Sequence, residues 1–209
     1  MLRPTRLFLL AALLGSALPA ALPAQARSLE ITPYLGLYMP TTAVVSQFEP
    51  TCSCDVSLKH KSAFLFGARV LYWMGDKFGL EGTVGYSGSG VTAEASGLGT
   101  ADTTARIVVG SARLLARLGR PDASTGFLAG VGVGLVAHGG DAYDGATGTT
   151  DFGGSVMVGV RSRITSQLTV RLEFEDYLYS ASFGPSPNTD SKFQHDFVAS
   201  VGLSIGFGR

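Results

Sequence analysis

Residues 167–175 read QLTVRLEFE, and this short stretch decides the fold. Its apolar side chains occupy the even positions, namely Leu168, Val170, Leu172 and Phe174. Its charged side chains occupy the odd positions, namely Arg171, Glu173 and Glu175. Because successive side chains of a β-strand point to opposite faces, this segment has one apolar face and one charged face. The stretch therefore predicts a strand that separates an oily environment from a charged one.

The same two-residue alternation recurs along the chain and predicts eight strands, at 29–40, 62–74, 77–87, 104–119, 125–139, 151–164, 167–180 and 193–208. The connections alternate between long (41–61, 88–103, 140–150, 181–192) and short (75–76, 120–124, 165–166). An even number of strands joined in this way is typical of transmembrane barrels with short periplasmic turns and longer outer loops. We therefore expect an all-β protein, an eight-stranded antiparallel up-and-down transmembrane β-barrel.

The composition supports a surface that does not face water. Lys plus Arg and Asp plus Glu are balanced at 16 each, and only 15% of residues are charged, where soluble domains average about 25%. The 45% hydrophobic content excludes a disordered chain, and the balanced charge argues against a nucleic-acid partner. Two cysteines are too few for a disulfide-dense scaffold.

The N-terminus predicts a cleaved secretory signal peptide over residues 1–26. Arg3 and Arg6 precede an apolar run at 7–18, and 24–26 offers a small-x-small cleavage site. The run is shorter than the roughly 20 residues that a membrane-spanning helix needs, and Gly15 and Pro19 break it. We expect a barrel domain at 27–209, exported to the outer membrane of a Gram-negative cell.

A soluble lipid-binding barrel is the structural rival, but it would carry lysines on its outer face. All four lysines here lie in predicted loops or at strand ends: Lys59, Lys61, Lys77 and Lys192. Aromatic residues are expected to form girdles at both membrane interfaces, with Tyr72, Phe78, Phe127 and Phe207 on the periplasmic side and Phe64, Tyr86, Phe152 and Phe197 on the outer side. These patterns favour the membrane barrel.

The final strand, 193–207, alternates apolar and small or polar residues up to Phe207. With the other seven strands it makes the chain resemble the eight-stranded outer-membrane β-barrel family, similar to the barrel domain of outer membrane protein A and to the X-type small barrels. The resemblance implies that the barrel assembly machinery recognises the C-terminal strand. It also implies contact with outer-membrane lipids and lipopolysaccharide, and we expect a monomer.

An eight-stranded lumen is just wide enough to be filled by side chains, which excludes a wide pore. The charged residues predicted to point inward form an interior charge network of six arginines and three glutamates: Arg69, Arg113, Arg117, Arg161, Arg163, Arg171, Glu81, Glu173 and Glu175. A tight turn at 75–76 would bring Arg69 opposite or diagonal to Glu81. The inward face is otherwise expected to be polar or small. We interpret the network as a salt-bridge plug, and a narrow anion-preferring path is the alternative.

An inward strip of glycines is expected on the fifth predicted strand, at Gly130, Gly132 and Gly134. Large guanidinium groups from the neighbouring strands can lie over the missing side chains. On this reading, Gly132→Ser should be tolerated far better than Val131→Arg on the lipid face.

The first long loop holds Cys52 and Cys54, which we expect to form a local or intermolecular disulfide in an oxidising compartment. A metal site with His60 is the alternative, although further ligands are not evident nearby. Asp141, Asp144 and Asp151 lack the alternating oxygens of a dedicated calcium loop, so we interpret them as solvated carboxylates. No cofactor is expected.

These features predict a non-enzymatic barrel that serves membrane integrity or surface interaction through its outer loops. One alternative is a narrow passive channel for small solutes or ions. Another is a lipopolysaccharide-modifying hydrolase, because 60–62 (His-Lys-Ser) has the base–nucleophile spacing of such enzymes. No orienting acid accompanies that triplet, so the sequence does not supply a complete catalytic group.

Overall fold

The computed structural model describes residues 28–41, 45–49, 54–95, 99–120, 123–143, 149–181 and 192–207. Ten strands account for most of them: β1 (Leu29–Pro40), β2 (Val45–Glu49), β3 (Cys54–His60), β4 (Ala63–Trp73), β5 (Phe78–Ala95), β6 (Gly99–Leu118), β7 (Thr125–Gly139), β8 (Thr150–Arg163), β9 (Leu168–Ala181) and β10 (Lys192–Phe207). The predicted signal peptide lies outside the described residues and remains a prediction.

Eight of these strands close into an antiparallel up-and-down barrel, as the alternation predicts. Their order around the barrel is β5-β4-β1-β10-β9-β8-β7-β6, and β6 pairs with β5 to complete the circle. The first and last strands meet along most of their length, from Leu29 opposite Phe207 to Pro40 opposite Asp196. A closed barrel leaves no unpaired edge among its eight strands, which is the condition for crossing a bilayer with strands.

Two connections predicted as loops are largely strand. The segment 41–61 contains β2 and β3, which pair with each other, and β3 then pairs with the outer part of β5. The segment 88–103 continues β5 and β6, which stay paired as far as Ala95 opposite Gly99. The sequence did not predict this extension, because its strands carry polar residues such as Thr92 and Asp102. They therefore lack the apolar face that marks a strand within lipid. The four strands form a sheet beyond the barrel wall, which we call the loop-end extension.

The two ends of the barrel differ, and we name them by their connections. The turn end carries the short connections at 74–77, 119–124 and 164–167, together with Leu29 and Phe207 at the two ends of the described barrel. The loop end carries the loop-end extension and a short 3₁₀ turn at Asp141–Tyr143. At the turn end, Gly119 has a φ of 101°, a left-handed conformation that a glycine adopts without strain.

The outer face is apolar and exposed. Phe64, Leu35 and Phe152 are 83%, 67% and 76% exposed, which would be costly in water but is expected against lipid. Tyr72, Phe78, Phe127 and Phe207 lie on this face near the turn end, and Phe64, Tyr86 and Phe152 lie on it toward the loop end. In the part of the chain that the structure describes, no helix is long and apolar enough to cross a membrane.

The inner face is not limited to polar and small residues, contrary to the expectation from sequence. One buried apolar cluster near the turn end consists of Leu71, Trp73, Leu115, Leu128 and Met157. A second, nearer the loop end, contains Tyr34, Tyr38, Leu65, Ile107, Val109, Val136, Tyr177, Tyr179, Ala181 and Val198. Eight strands give a lumen that side chains just fill, so apolar side chains pack there as they do in a protein core.

Candidate functional site

Between the two apolar clusters, six charged side chains from four strands meet inside the barrel. We call them the arginine–glutamate ring, and they are Arg69 on β4, Glu81 on β5, Arg113 on β6, and Arg171, Glu173 and Glu175 on β9. The side chain of each is at most 1% exposed. The period of two places the three β9 residues on one face, so that a single strand supplies half of the ring.

Arg113 bridges two glutamates on opposite sides of the lumen. Its Nη2 donates to Glu81 Oε1 at 2.8 Å, and its Nη1 donates to Glu175 Oε2 at 2.7 Å. The register places Arg113 directly opposite Glu81 on the neighbouring strand. Glu175 is held further by the Tyr177 hydroxyl, which donates to it at 3.1 Å.

The other two arginines complete the circle. Arg69 Nη2 donates to Glu175 Oε1 at 2.5 Å, and its Nε lies 3.0 Å from Glu173 Oε2. Arg171 Nη2 donates to Glu81 Oε2 at 2.6 Å, and its Nε donates to Glu173 Oε1 at 2.5 Å. Each arginine therefore contacts two glutamates and each glutamate contacts two arginines.

The arginine–glutamate ring carries no net formal charge, because three guanidinium groups face three carboxylates. Such mutual pairing offsets the large cost of taking six charges out of water. Removing one member leaves a buried charge without its counter-ion, whereas removing an adjacent pair preserves neutrality. The ring also ties β9 to β4, β5 and β6 across the lumen, where no backbone pairing reaches.

The register confirms that Arg69 lies diagonal to Glu81, since Arg69 stands opposite Thr83 and Glu81 stands opposite Leu71. The expected direct pairing of the two is wrong, because their ion pairs go to other residues. Each long side chain reaches across the lumen or to its other neighbour instead, because the better-placed counter-ions lie on β6 and β9. Cross-strand offset alone does not reveal such contacts in a narrow barrel, where opposite walls are within side-chain reach.

The remaining arginines of the predicted network lie apart from the ring, at the turn end. Arg117 places its guanidinium carbon 4.2 Å from the centroid of the Trp73 ring, and Arg161 lies 5.4 Å from the same ring. Arg161 also donates to Glu30 Oε1 at 3.2 Å, and the Trp73 indole NH donates to that oxygen at 2.8 Å. Arg163 is half-buried at the last position of β8. The predicted excess of three positive charges is thus confined to this end, where Glu30 reduces it.

Sequence reasoning missed Glu30, although β1 alternates clearly. Glu30, Thr32, Tyr34 and Tyr38 share the buried phase of β1. At the loop end it also missed Asp196, whose Oδ2 accepts hydrogen bonds from the hydroxyls of Tyr38 and Tyr179 at 2.5 Å each. The two-residue alternation does place both carboxylates on the inner face. Glu30 lies two residues before the buried Thr32, and Asp196 lies four residues before the buried Ser200.

The glycine strip on β7 is covered by other groups than the expected guanidiniums. A Cβ at Gly134 would lie 3.1 Å from the Tyr177 ring, and one at Gly130 would lie 3.2 Å from Leu115. Gly132 has no room at all, because its Cβ would lie 2.0 Å from the backbone oxygen of Ala112. Gly132→Ser should therefore destabilise the barrel, and its comparison with Val131→Arg stays a prediction.

The other candidate residues are not assembled into a site in the described part of the chain. Cys52 lies outside the described residues, and Cys54 begins β3 opposite Glu49, so their disulfide remains a prediction. Lys61, the centre of the 60–62 triplet, pairs with Asp102 at 2.8 Å, and this exposed ion pair lowers the pKa of Asp102.

Of the three aspartates weighed as calcium ligands, the structure describes two, and each has a different neighbour. Asp141 accepts a hydrogen bond from Thr104 at 2.9 Å, and Asp151 lies 4.0 Å from His138. Asp144 lies outside the described residues. Within the described ranges, no three His, Cys, Asp or Glu side chains come together as metal ligands would.

Comparison with known proteins agrees with this architecture. A family model for the outer membrane protein beta-barrel domain matches residues 8–204. Outer membrane protein OprG from Pseudomonas aeruginosa is 15% identical, with 88% of this chain and 98% of that chain covered and a TM-score of 0.67. Neisserial surface protein A is 12% identical over 88% and 98% of the two chains, with a TM-score of 0.54.

Outer membrane protein W from E. coli is 15% identical over 88% of this chain and 100% of that one, with a TM-score of 0.51. At these identities the likeness concerns the fold. No curated protein sequence matches the chain.

Proposed function

The chain belongs to the outer membrane protein β-barrel domain family, and from this premise we propose that it is a non-enzymatic membrane barrel with a closed lumen. Its role is to maintain membrane integrity or to present the loop-end extension for surface interaction. The observation that carries this proposal is the arginine–glutamate ring, which spans the lumen with side chains that solvent does not reach.

The layers on either side of the ring support a closed lumen. Trp73 and Leu71 lie toward the turn end, and Tyr38 and Tyr179 lie toward the loop end, all of them buried. An ion crossing this stack would have to leave water, separate paired charges and pass two apolar clusters. Each of these steps is unfavourable in a medium of low dielectric constant.

Conductance of the purified protein in planar bilayers tests the proposal. We expect the wild-type barrel to show no steady current. The double change Arg113→Ala with Glu81→Ala should open a measurable one, because it removes two long side chains from the lumen while leaving the remaining four charges balanced. A wild-type barrel that conducts steadily would reject the closed lumen and favour a narrow channel.

A matched control is available in the exposed pair of Lys61 and Asp102. Changing both to Ala also removes one cation and one anion, but their side chains are 52% and 66% exposed at the loop end. This control should leave the bilayer current unchanged. A current equal to that of the double change in the lumen would mean that conductance arises elsewhere than from the ring.

Surface presentation is supported by the shape of the loop end, where β5 and β6 continue past the barrel and β2 and β3 widen the sheet. We further propose that residues 1–26 direct export and that β10 is the strand read by the assembly machinery. Replacing residues 42–60 by a short turn should leave the barrel folded and abolish binding of a surface partner by cells that carry the protein. If those cells bound the partner as well as cells with the full-length protein do, a role in membrane integrity would be favoured instead.

A further inference from the structure

A cavity of about 510 Å³ opens at the turn end, below the apolar cluster that contains Trp73. This volume lies within the range of small-molecule sites, which is roughly 300 to 1,000 Å³. Among the residues that the structure describes, four arginines line it, Arg117, Arg120, Arg161 and Arg163, together with two carboxylates, Glu30 and Asp76. We call this cavity the turn-end vestibule.

The carboxylates do not neutralise the deepest arginines equally. Glu30 pairs with Arg161 at 3.2 Å. Among the residues that the structure describes, no carboxylate pairs with Arg117, whose guanidinium is instead stacked on Trp73. Arg117 Nε and Arg161 Nη1 are buried without an acceptor among those residues. The arrangement holds two cations together over one indole ring, at a cost in mutual repulsion that an anion would relieve.

The rest of the lining suits a small oxyanion. Hydroxyl and amide groups supply neutral hydrogen-bond donors around the arginines, from Ser28, Ser124, Ser166, Thr169, Ser204 and Gln167. Arginine forks bind phosphate through two parallel hydrogen bonds, and a phosphate monoester carries about −1.5 to −2 charges at neutral pH. Such a group would supply Arg117 and Arg161 with the counter-charge that Glu30 gives only to Arg161.

We propose that the turn-end vestibule is a binding site for a phosphate group, with Arg117 and Arg161 as its principal ligands. The group belongs either to a small soluble phosphate or to a phospholipid headgroup, since both present the same oxygens. The site is separate from the arginine–glutamate ring and does not depend on whether the lumen conducts.

The chain carries its own reporter, because Trp73 is the sole tryptophan in the sequence. Titrating the folded, detergent-solubilised protein with inorganic phosphate at constant ionic strength should change Trp73 fluorescence saturably, whereas chloride should not. Arg117→Gln and Arg161→Gln should each weaken binding about tenfold or more, the range expected for one charge-assisted hydrogen bond. Equilibrium dialysis with labelled phosphate gives the same constants without using fluorescence.

Three further variants separate a binding role from a structural one. Arg117→Lys keeps the charge and should retain part of the affinity. Glu30→Gln removes a competing carboxylate and should tighten binding several-fold. Arg106→Gln, which removes an exposed arginine at the loop end, should leave binding unchanged.

A second titration with dihexanoyl phosphatidic acid, below its micellar concentration, identifies the source of the phosphate. Binding of both ligands with the same dependence on Arg117 supports a site for the phosphate group of a soluble molecule. Binding of the lipid alone assigns the site to a headgroup. The proposal is overturned if neither ligand gives a saturable response, or if the response survives Arg117→Gln and Arg161→Gln unchanged in correctly folded protein.

Discussion

In the interior of this barrel, large side chains pack against glycines, which have no side chain. Tyr34 lies over Gly67, where a Cβ would come within 2.6 Å of the phenol ring, and its hydroxyl donates to the backbone oxygen of Val84 at 3.2 Å. The guanidinium carbon of Arg69 lies over the Tyr34 ring, 3.7 Å from its centroid. A bulky aromatic residue that covers a glycine recovers burial that the glycine alone would lose.

The first prediction concerns Gly132, where the close neighbour is backbone. Gly132→Ala should destabilise the folded barrel by about 1 to 3 kcal/mol, since overpacking at a site that cannot yield shifts the strand. Urea unfolding in phospholipid bilayers measures the change. Gly82→Ala is the matched control, because a Cβ there meets nothing within 4 Å. Equal stability of the two variants would show that β7 and β6 relax freely at this point.

At the scale of the strand, period-two alternation was sufficient to predict the fold. β1 and β7 have the predicted bounds, and the other barrel strands differ mainly at their ends. Alternation also placed Glu81, Arg113 and the three charges of β9 on the inner face. It did not predict which charges pair, because pairing depends on barrel diameter and side-chain reach rather than on sequence spacing. It also did not reveal the loop-end extension, where strands outside lipid need no apolar face.

The second prediction tests the observed pairing by a double-mutant cycle. Arg113→Ala or Glu81→Ala alone should cost about 3 to 5 kcal/mol, as expected for a buried charge that loses its partner. The two changes together should cost less than their sum by about 0.5 to 3 kcal/mol. Unfolding free energies of the four proteins give the coupling.

The comparison cycle pairs Glu81 with Arg69, which it does not contact directly. Coupling between these two residues should be smaller than between Glu81 and Arg113. The reverse order would show that the lumen is arranged differently, with Arg69 and Glu81 as direct partners.

At the scale of the whole molecule, the two ends of the barrel carry different groups. The arginine-lined vestibule lies at the turn end, and the loop-end extension lies at the opposite end. An even number of strands brings both ends of the barrel to the turn end, which in barrels of this kind faces the periplasm. We therefore expect the turn-end vestibule to face the periplasm and the loop-end extension to face the outside. This orientation can be measured separately from any function.

The third prediction is that the loop end is accessible on intact cells. In a background with Cys52→Ser and Cys54→Ser, Thr150→Cys should react with a membrane-impermeant maleimide, because Thr150 is exposed at the start of β8. Ala123→Cys, exposed at the turn end, should react only after the outer membrane is permeabilised. If only Ala123→Cys were labelled on intact cells, the orientation would be the reverse of the one expected.

The distribution of the ring among its strands has a consequence for how the barrel is built. β9 brings Arg171, Glu173 and Glu175, but four of the glutamate–arginine contacts of the ring need partners that lie 62 to 106 residues earlier in the chain. A half-assembled sheet would hold unmatched charges against lipid, and such intermediates are penalised. We therefore expect insertion of the last strands to be favourable only when β4, β5 and β6 already stand opposite, which would make assembly cooperative.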